Sequence, residues 1–136
     1  MNADERLRDA LARVEGDLHA LSELATVTLA AGGDDPGAGV LLCEVMSGGE
    51  AIAWIPVPAG VSVDEMSHQV ANELQDVLVG RHVFAAWPKC PDHEHQLLAN
   101  LRRARATWKC PTTKRHVCTI GRYADVTAEG RRGEES

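Results

Sequence analysis

Two short segments rich in cysteine and histidine constrain this chain more than any other feature. The first runs Trp87-Pro88-Lys89-Cys90-Pro91-Asp92-His93-Glu94-His95. It is answered by Trp108-Lys109-Cys110-Pro111, and then by His116-Val117-Cys118. A cysteine and a histidine two or three residues apart can reach one metal ion from a single tight turn. Thiolate plus imidazole is a donor set that Zn²⁺ takes in tetrahedral geometry. Cys90 and His93 have the two-residue gap of a zinc knuckle, and Pro91 pre-sets a backbone dihedral between them. Cys110-Pro111 repeats the cysteine–proline pair on a second arm, and two such arms roughly 15–20 residues apart are the general pattern of zinc ribbons and knuckles.

Six side chains compete for four positions: Cys90, His93, His95, Cys110, His116 and Cys118. Spacing allows more than one set. Cys90, His93, His95 and Cys110 form the preferred one, and another takes Cys118 in place of a histidine. Residues 115–121 read as a strand in which His116, Cys118 and Ile120 share a face. Ile120 marks that face as core, which makes Cys118 a small buried apolar residue. Trp87 and Trp108 stand just ahead of their cysteines, where their rings would shield the thiolates from water. A module this small holds few apolar residues and needs both rings and metal to keep its shape. Cys43 lies in an apolar strand and is expected in the core.

The remaining segments suggest an α+β chain. Leu7, Leu11, Val14, Leu18 and Leu21 recur at a spacing of 3.5 residues, as in a coiled-coil seam, continued weakly by Ala25. That predicts a helix over residues 3–30, within an N-terminal helical segment 1–31. The breaker cluster at 31–38, AGGDDPGA, reads as a loop or linker. Residues 39–86 read as a small α/β core. Gly39–Met46 and Ala51–Val57 are strands around a Ser47-Gly48-Gly49-Glu50 turn, the second ended by Pro56 and Pro58. Ser62-Val63-Asp64-Glu65 matches a capping box, and the helix after it carries Met66, Val70, Leu74, Val77 and Leu78 on one face as far as Gly80. Residues 87–122 are expected to form a zinc ribbon- or knuckle-like module, and 123–136 a disordered tail.

Composition narrows the functional classes. The charged N-terminus, MNADERLRDALARVEG, lacks the apolar core of a signal peptide, and no run of about 18 apolar residues exists to cross a membrane. A cytoplasmic location is the default, where four cysteines point to metal or free thiols rather than disulfides. The chain has no H-E-x-x-H, no paired P-C-x-x-C of zinc deaminases and no nucleotide-binding glycine loop. Glu94 and Asp92 are the nearest carboxylates to the cluster, and neither makes a hydrolytic spacing. We therefore expect a non-enzymatic, zinc-stabilised adaptor that binds another protein or itself through the N-terminal helix.

Charge supplies the alternative. Residues 1–80 carry three arginines against 14 acids, whereas residues 81–122 carry nine Lys/Arg against two acids. Arg102, Arg103, Arg105, Lys109, Lys114 and Arg115 would then contact nucleic acid. The acidic remainder, which brings the chain to a net −6, argues against a polyanion partner.

Taken as a whole, Trp-Pro-x-Cys-Pro-x-His-x-His, followed about 15 residues later by Trp-x-Cys-Pro and then Ile-Gly, resembles small uncharacterised proteins common in actinobacteria. Those proteins look like an α/β N-terminal part with a C-terminal CPxHxH…WxCP module. The resemblance covers roughly residues 66–122. It implies metal ligands at Cys90, His93, His95 and Cys110, tryptophans at Trp87 and Trp108, and an end at Ile120-Gly121. The chain departs from the pattern at Glu94 and Gln96, where proline is frequent, and adds His116 and Cys118.

Overall fold

The computed structural model describes residues 1–21, 24–35, 39–80, 87–93 and 95–126. Helix α1 spans Ala3–Leu18. The Asn2 side chain caps it, accepting from the Glu5 N–H at 2.9 Å, and Asp4 and Glu5 complement the positive end. Leu7, Leu11, Val14 and Leu18 are at most 5% exposed, so the coiled-coil-like stripe is buried within this chain.

The expected helix over 3–30 stops early. After Leu18 the backbone turns, and Val27–Asp35 forms strand β1. The physical reason is a change of period. Val27 and Leu29 are buried while Thr28 and Ala30 are exposed, an alternation of two rather than 3.5. Side chains of α1 fix the return: His19 Nε2 donates to the Val27 carbonyl at 2.8 Å, and Glu15 Oε2 accepts from the Leu29 N–H at 2.8 Å. The expected 31–38 linker is likewise strand as far as Asp35, with a register shift between Ala31 and Asp34 where the two glycines stand. Residues 36–38 lie outside the described residues.

Strands β2 (Val40–Ser47) and β3 (Glu50–Pro58) form the expected hairpin. Gly48 and Gly49 make its two-residue turn, both with positive φ (59° and 87°). The sheet is antiparallel in the order β1-β2-β3. Pro56 does not end β3, which runs on to Pro58. The two prolines pair with Leu42 and Val40, and because β3 is an edge strand a missing N–H can face solvent.

Helix α2 spans Val63–Gly80. Ser62 Oγ accepts from the Glu65 N–H at 3.1 Å, the serine half of the expected capping box, while the Glu65 carboxylate accepts from the Ser62 hydroxyl at 3.3 Å rather than from a backbone N–H. Met66, Val70, Leu74 and Leu78 are buried. A second antiparallel sheet, β4 (Leu98–Arg102), β5 (Arg105–Lys109) and β6 (His116–Thr119), has the order β4-β5-β6. Helix α2 touches α1 and β3 as well as β4 and β5. One apolar cluster therefore joins Leu7 and Val14 of α1, Leu74 of α2, and Leu97, Trp108 and Ile120 of the second sheet and its flanks.

The expected disordered tail over 123–136 is corrected at its start. Residues 123–126 form a helical turn, and Tyr123 is 2% exposed with its N–H bonded to Asp17 Oδ1 at 3.1 Å. Residues 127–136 and 81–86 lie outside the described residues. Among those described, no helix is long and apolar enough to cross a membrane.

Candidate metal centre

Two facing turns build the site. In the first, the Cys90 N–H donates to the His95 carbonyl at 2.9 Å, and the Leu97 N–H to the Pro88 carbonyl at 2.7 Å. The His93 N–H folds back to the Cys90 carbonyl at 3.4 Å. This loop closes Cys90, His93 and His95 onto one side. In the second turn, between β5 and β6, the Cys110 N–H donates to the Arg115 carbonyl and the Lys114 N–H to the Cys110 carbonyl, both at 2.9 Å.

The donor atoms meet between these turns. Sγ of Cys90 and Cys110, together with one ring nitrogen each of His93 and His95, all lie within 4.8 Å of one another, close enough to bind a metal ion. Individual edges are 3.4 Å from Cys90 Sγ to His93 Nδ1, 3.6 Å from Cys110 Sγ to His93 Nδ1, and 3.4 Å from Cys110 Sγ to His95 Nε2. A tetrahedron with metal–ligand distances of about 2.0–2.3 Å has edges of roughly 3.5 Å, so the spacing fits tetrahedral coordination. The two imidazoles stack with centroids 4.7 Å apart. His95 Nδ1 faces the Thr112 hydroxyl at 3.4 Å, an outer contact that leaves Nε2 turned toward the sulfurs.

The two thiols differ. The hydroxyl and N–H of Thr113 hold the Cys110 thiol below its ordinary range, the N–H lying 3.5 Å from the sulfur. Burial and the neighbouring Cys110 hold the Cys90 thiol above it. The pair therefore loses its first proton at Cys110, which presents a thiolate for a cation.

A buried polar network behind the site ties it to the helices. Asp17, at 0% exposure, accepts from Trp108 Nε1 and the Gly121 N–H, both at 2.7 Å, through Oδ2. Its backbone carbonyl takes Trp87 Nε1 at 3.0 Å. The rings of Trp87 and Trp108 meet edge to face at 5.3 Å and 81°. Burial raises the Asp17 pKa, while the three N–H donors pull it back. Gln75 of α2 donates to the carbonyls of Trp87 and Leu97, and the Tyr123 hydroxyl donates to the carbonyl of Lys89. Sequence reasoning missed Asp17, Gln75 and Tyr123. A usable signal existed: two tryptophans placed to be buried need acceptors for their indole N–H groups, and Asp17 lies beside the α1 stripe.

His116 and Cys118 lie outside the donor cluster. His116 Nδ1 sits 2.8 Å from the Thr107 hydroxyl. Cys118 pairs across from Trp108, and burial pushes its thiol up to about 12. The expected shared face of His116 and Cys118 is corrected by a register shift. Cys118 opposes Trp108 while His116 opposes Lys109, so one extra residue in β6 turns the two apart. Cys43 is at 0% exposure within β2, as its apolar setting implies. Glu94 lies outside the described residues, and Asp92 is exposed. Of the six basic residues singled out, Arg102, Arg103 and Arg105 gather at one cavity. Lys109 is half-buried on β5, and Lys114 and Arg115 are exposed in the second turn. Compared with protein-family models, curated proteins and solved structures, the chain shows no match.

Proposed function

We propose that the chain is a non-enzymatic binding module whose fold is completed by zinc. The observation that carries this reading is the four-donor cluster: two thiols and two imidazoles at tetrahedral spacing, supplied wholly by protein. Thiolate plus imidazole selects zinc among the available divalent ions, and four protein ligands leave no position for a reactive water. Cys90, His93, His95 and Cys110 would hold the ion, and its contribution is to lock the two turns together. Cobalt-substituted protein is expected to show the ligand-field spectrum of a tetrahedral two-sulfur, two-nitrogen site, unchanged by added azide. An azide-sensitive spectrum would mean an open coordination position and would reverse the non-enzymatic reading.

The partner on this reading is a protein with a basic surface. The N-terminal stripe is spent inside the core, which moves the docking surface to the outer face of the first sheet. There Trp54 is 55% exposed, opposite Glu44 in the ladder and near the Leu42–Pro56 pair. Acids outnumber arginines 14 to three over residues 1–80. Of the three arginines, Arg6 is bound to the carbonyls of Ala59 and Val61, and Arg13 pairs with Asp9 and Asp64. A photo-crosslinking residue at position 54 is expected to trap basic proteins that the same residue at Val79, 48% exposed on α2, does not. Equal yields at both positions would remove the sheet face from the proposal.

A further inference from the structure

The second sheet carries a concentration of positive charge that the fold itself does not explain. Arg102 and Arg105 oppose one another as the closing pair of the β4–β5 hairpin, an arrangement of like charges that disfavours pairing. Between them Arg103 and Ala104 both adopt positive φ, 50° and 67°, where turns of this geometry favour glycine or asparagine. Neither choice helps the sheet. Among the described residues no carboxylate forms an ion pair with Arg102, Arg103 or Arg105. Asp64 borders a neighbouring cavity with Arg105, but its Oδ1 is taken by the Ala106 N–H at 2.9 Å and by Arg13 at 3.6 Å.

Arg102, Arg103 and Arg105 line a cavity of about 380 Å³ together with Thr107, His116, Cys118 and Thr119. That volume lies within the range of small-ligand pockets. Thr107 is 7% exposed, and its hydroxyl joins His116 at 2.8 Å to make a polar floor. Burial, with Arg102 and Lys109 nearby, lowers the His116 pKa. The lining therefore combines three arginines with two threonines, His116 and Cys118, and holds no acid. Planar forks match the oxygens of phosphate. An extended nucleic-acid strand fits less well. The lining has no Trp, Tyr or Phe ring for bases, Trp108 and Tyr123 are buried, and the chain carries net negative charge.

We infer that this cavity binds a phosphate monoester, with Arg102 and Arg105 clamping the phosphate oxygens over the Thr107–His116 floor. The inference rests on the zinc reading in one respect, since the second turn that carries Cys110 also joins β5 to β6.

The test uses full-length protein with its metal content measured first. Isothermal titration with inorganic phosphate is expected to show saturable binding. Ribose 5-phosphate and a phosphoserine peptide then distinguish a phosphate carried on a small molecule from one carried on a side chain. Arg102→Ala and Arg105→Ala should each weaken phosphate binding at least tenfold. Both should leave zinc content intact and thermal stability unchanged or higher, because each removes a like-charge pair. Lys114→Ala, in the exposed turn, should bind as wild type does. The inference is overturned if metal-replete protein binds no phosphate at millimolar concentration, or if the double arginine variant binds as well as wild type. It is also overturned if an oligonucleotide binds with affinity that grows with length and is not displaced by phosphate. Missing zinc counts against the metal reading; missing phosphate affinity in zinc-loaded protein counts against the cavity alone.

Discussion

Cys90→Ala, Cys110→Ala or prolonged chelation will abolish the cooperative unfolding transition of the second sheet. The region from Trp87 to Tyr123 has three short strands, two of them edges, and only four residues in β6. Structural zinc sites contribute on the order of 10 kcal/mol to folding, comparable to the whole stability of a typical domain. Hydrogen exchange read by mass spectrometry should show protection lost over residues 87–122. The first sheet and α1 should keep part of theirs through Leu29, Val45 and Val57, which pack without the metal turns. His93→Ala and His95→Ala should follow the cysteine variants. His116→Ala and Cys118→Ala should hold zinc as wild type does, because neither residue belongs to the donor cluster. Zinc lost from Cys118→Ala, with Cys90→Ala still loaded, would dismantle the assignment of ligands.

Asp17→Ala will destabilise the fold nearly as severely without touching a ligand. The carboxylate satisfies three N–H donors at once, from Trp108, Gly121 and Tyr123. Each donor left buried without an acceptor costs about 1–3 kcal/mol, so the loss for three is on the order of 3–9 kcal/mol. Asp17→Asn keeps the shape, and its amide oxygen at the Oδ2 position still accepts from Trp108 and Gly121, while its NH2 meets the Tyr123 N–H. It should recover the larger part of that loss. Urea unfolding followed by tryptophan fluorescence measures both, since Trp87 and Trp108 report on this layer. A change below about 1 kcal/mol in Asp17→Ala would show that the network is dispensable.

What could be read from the sequence follows the distance over which each feature is decided. The Ser62 cap, the Gly48-Gly49 turn and the apolar face of α2 are settled within a few residues, and each stands where the pattern puts it. The grouping of Cys90, His93 and His95 is equally local, and Cys110 was the one remote partner that its own Cys-Pro turn identified. The end of α1 was lost because Leu21 continues the 3.5-residue rhythm past the point where the backbone turns. Asp17 was lost because its partners lie 91, 104 and 106 residues away. The register shift that separates His116 from Cys118 was hidden for a related reason. Strict alternation within a strand says nothing about where a neighbouring strand inserts a bulge.

The Asp17–Tyr123 contact has a kinetic corollary. Closing a loop of 106 residues is entropically slower than joining the metal turns, whose ligands His93 and Cys110 are 17 apart. On a chain emerging from the ribosome, the acid of α1 must wait in water until nearly the whole described sequence has been made. Topology thus predicts that the clasp between the first helix and residues 121–123 closes after the two cysteine turns, whatever the strength of the bonds that seal it.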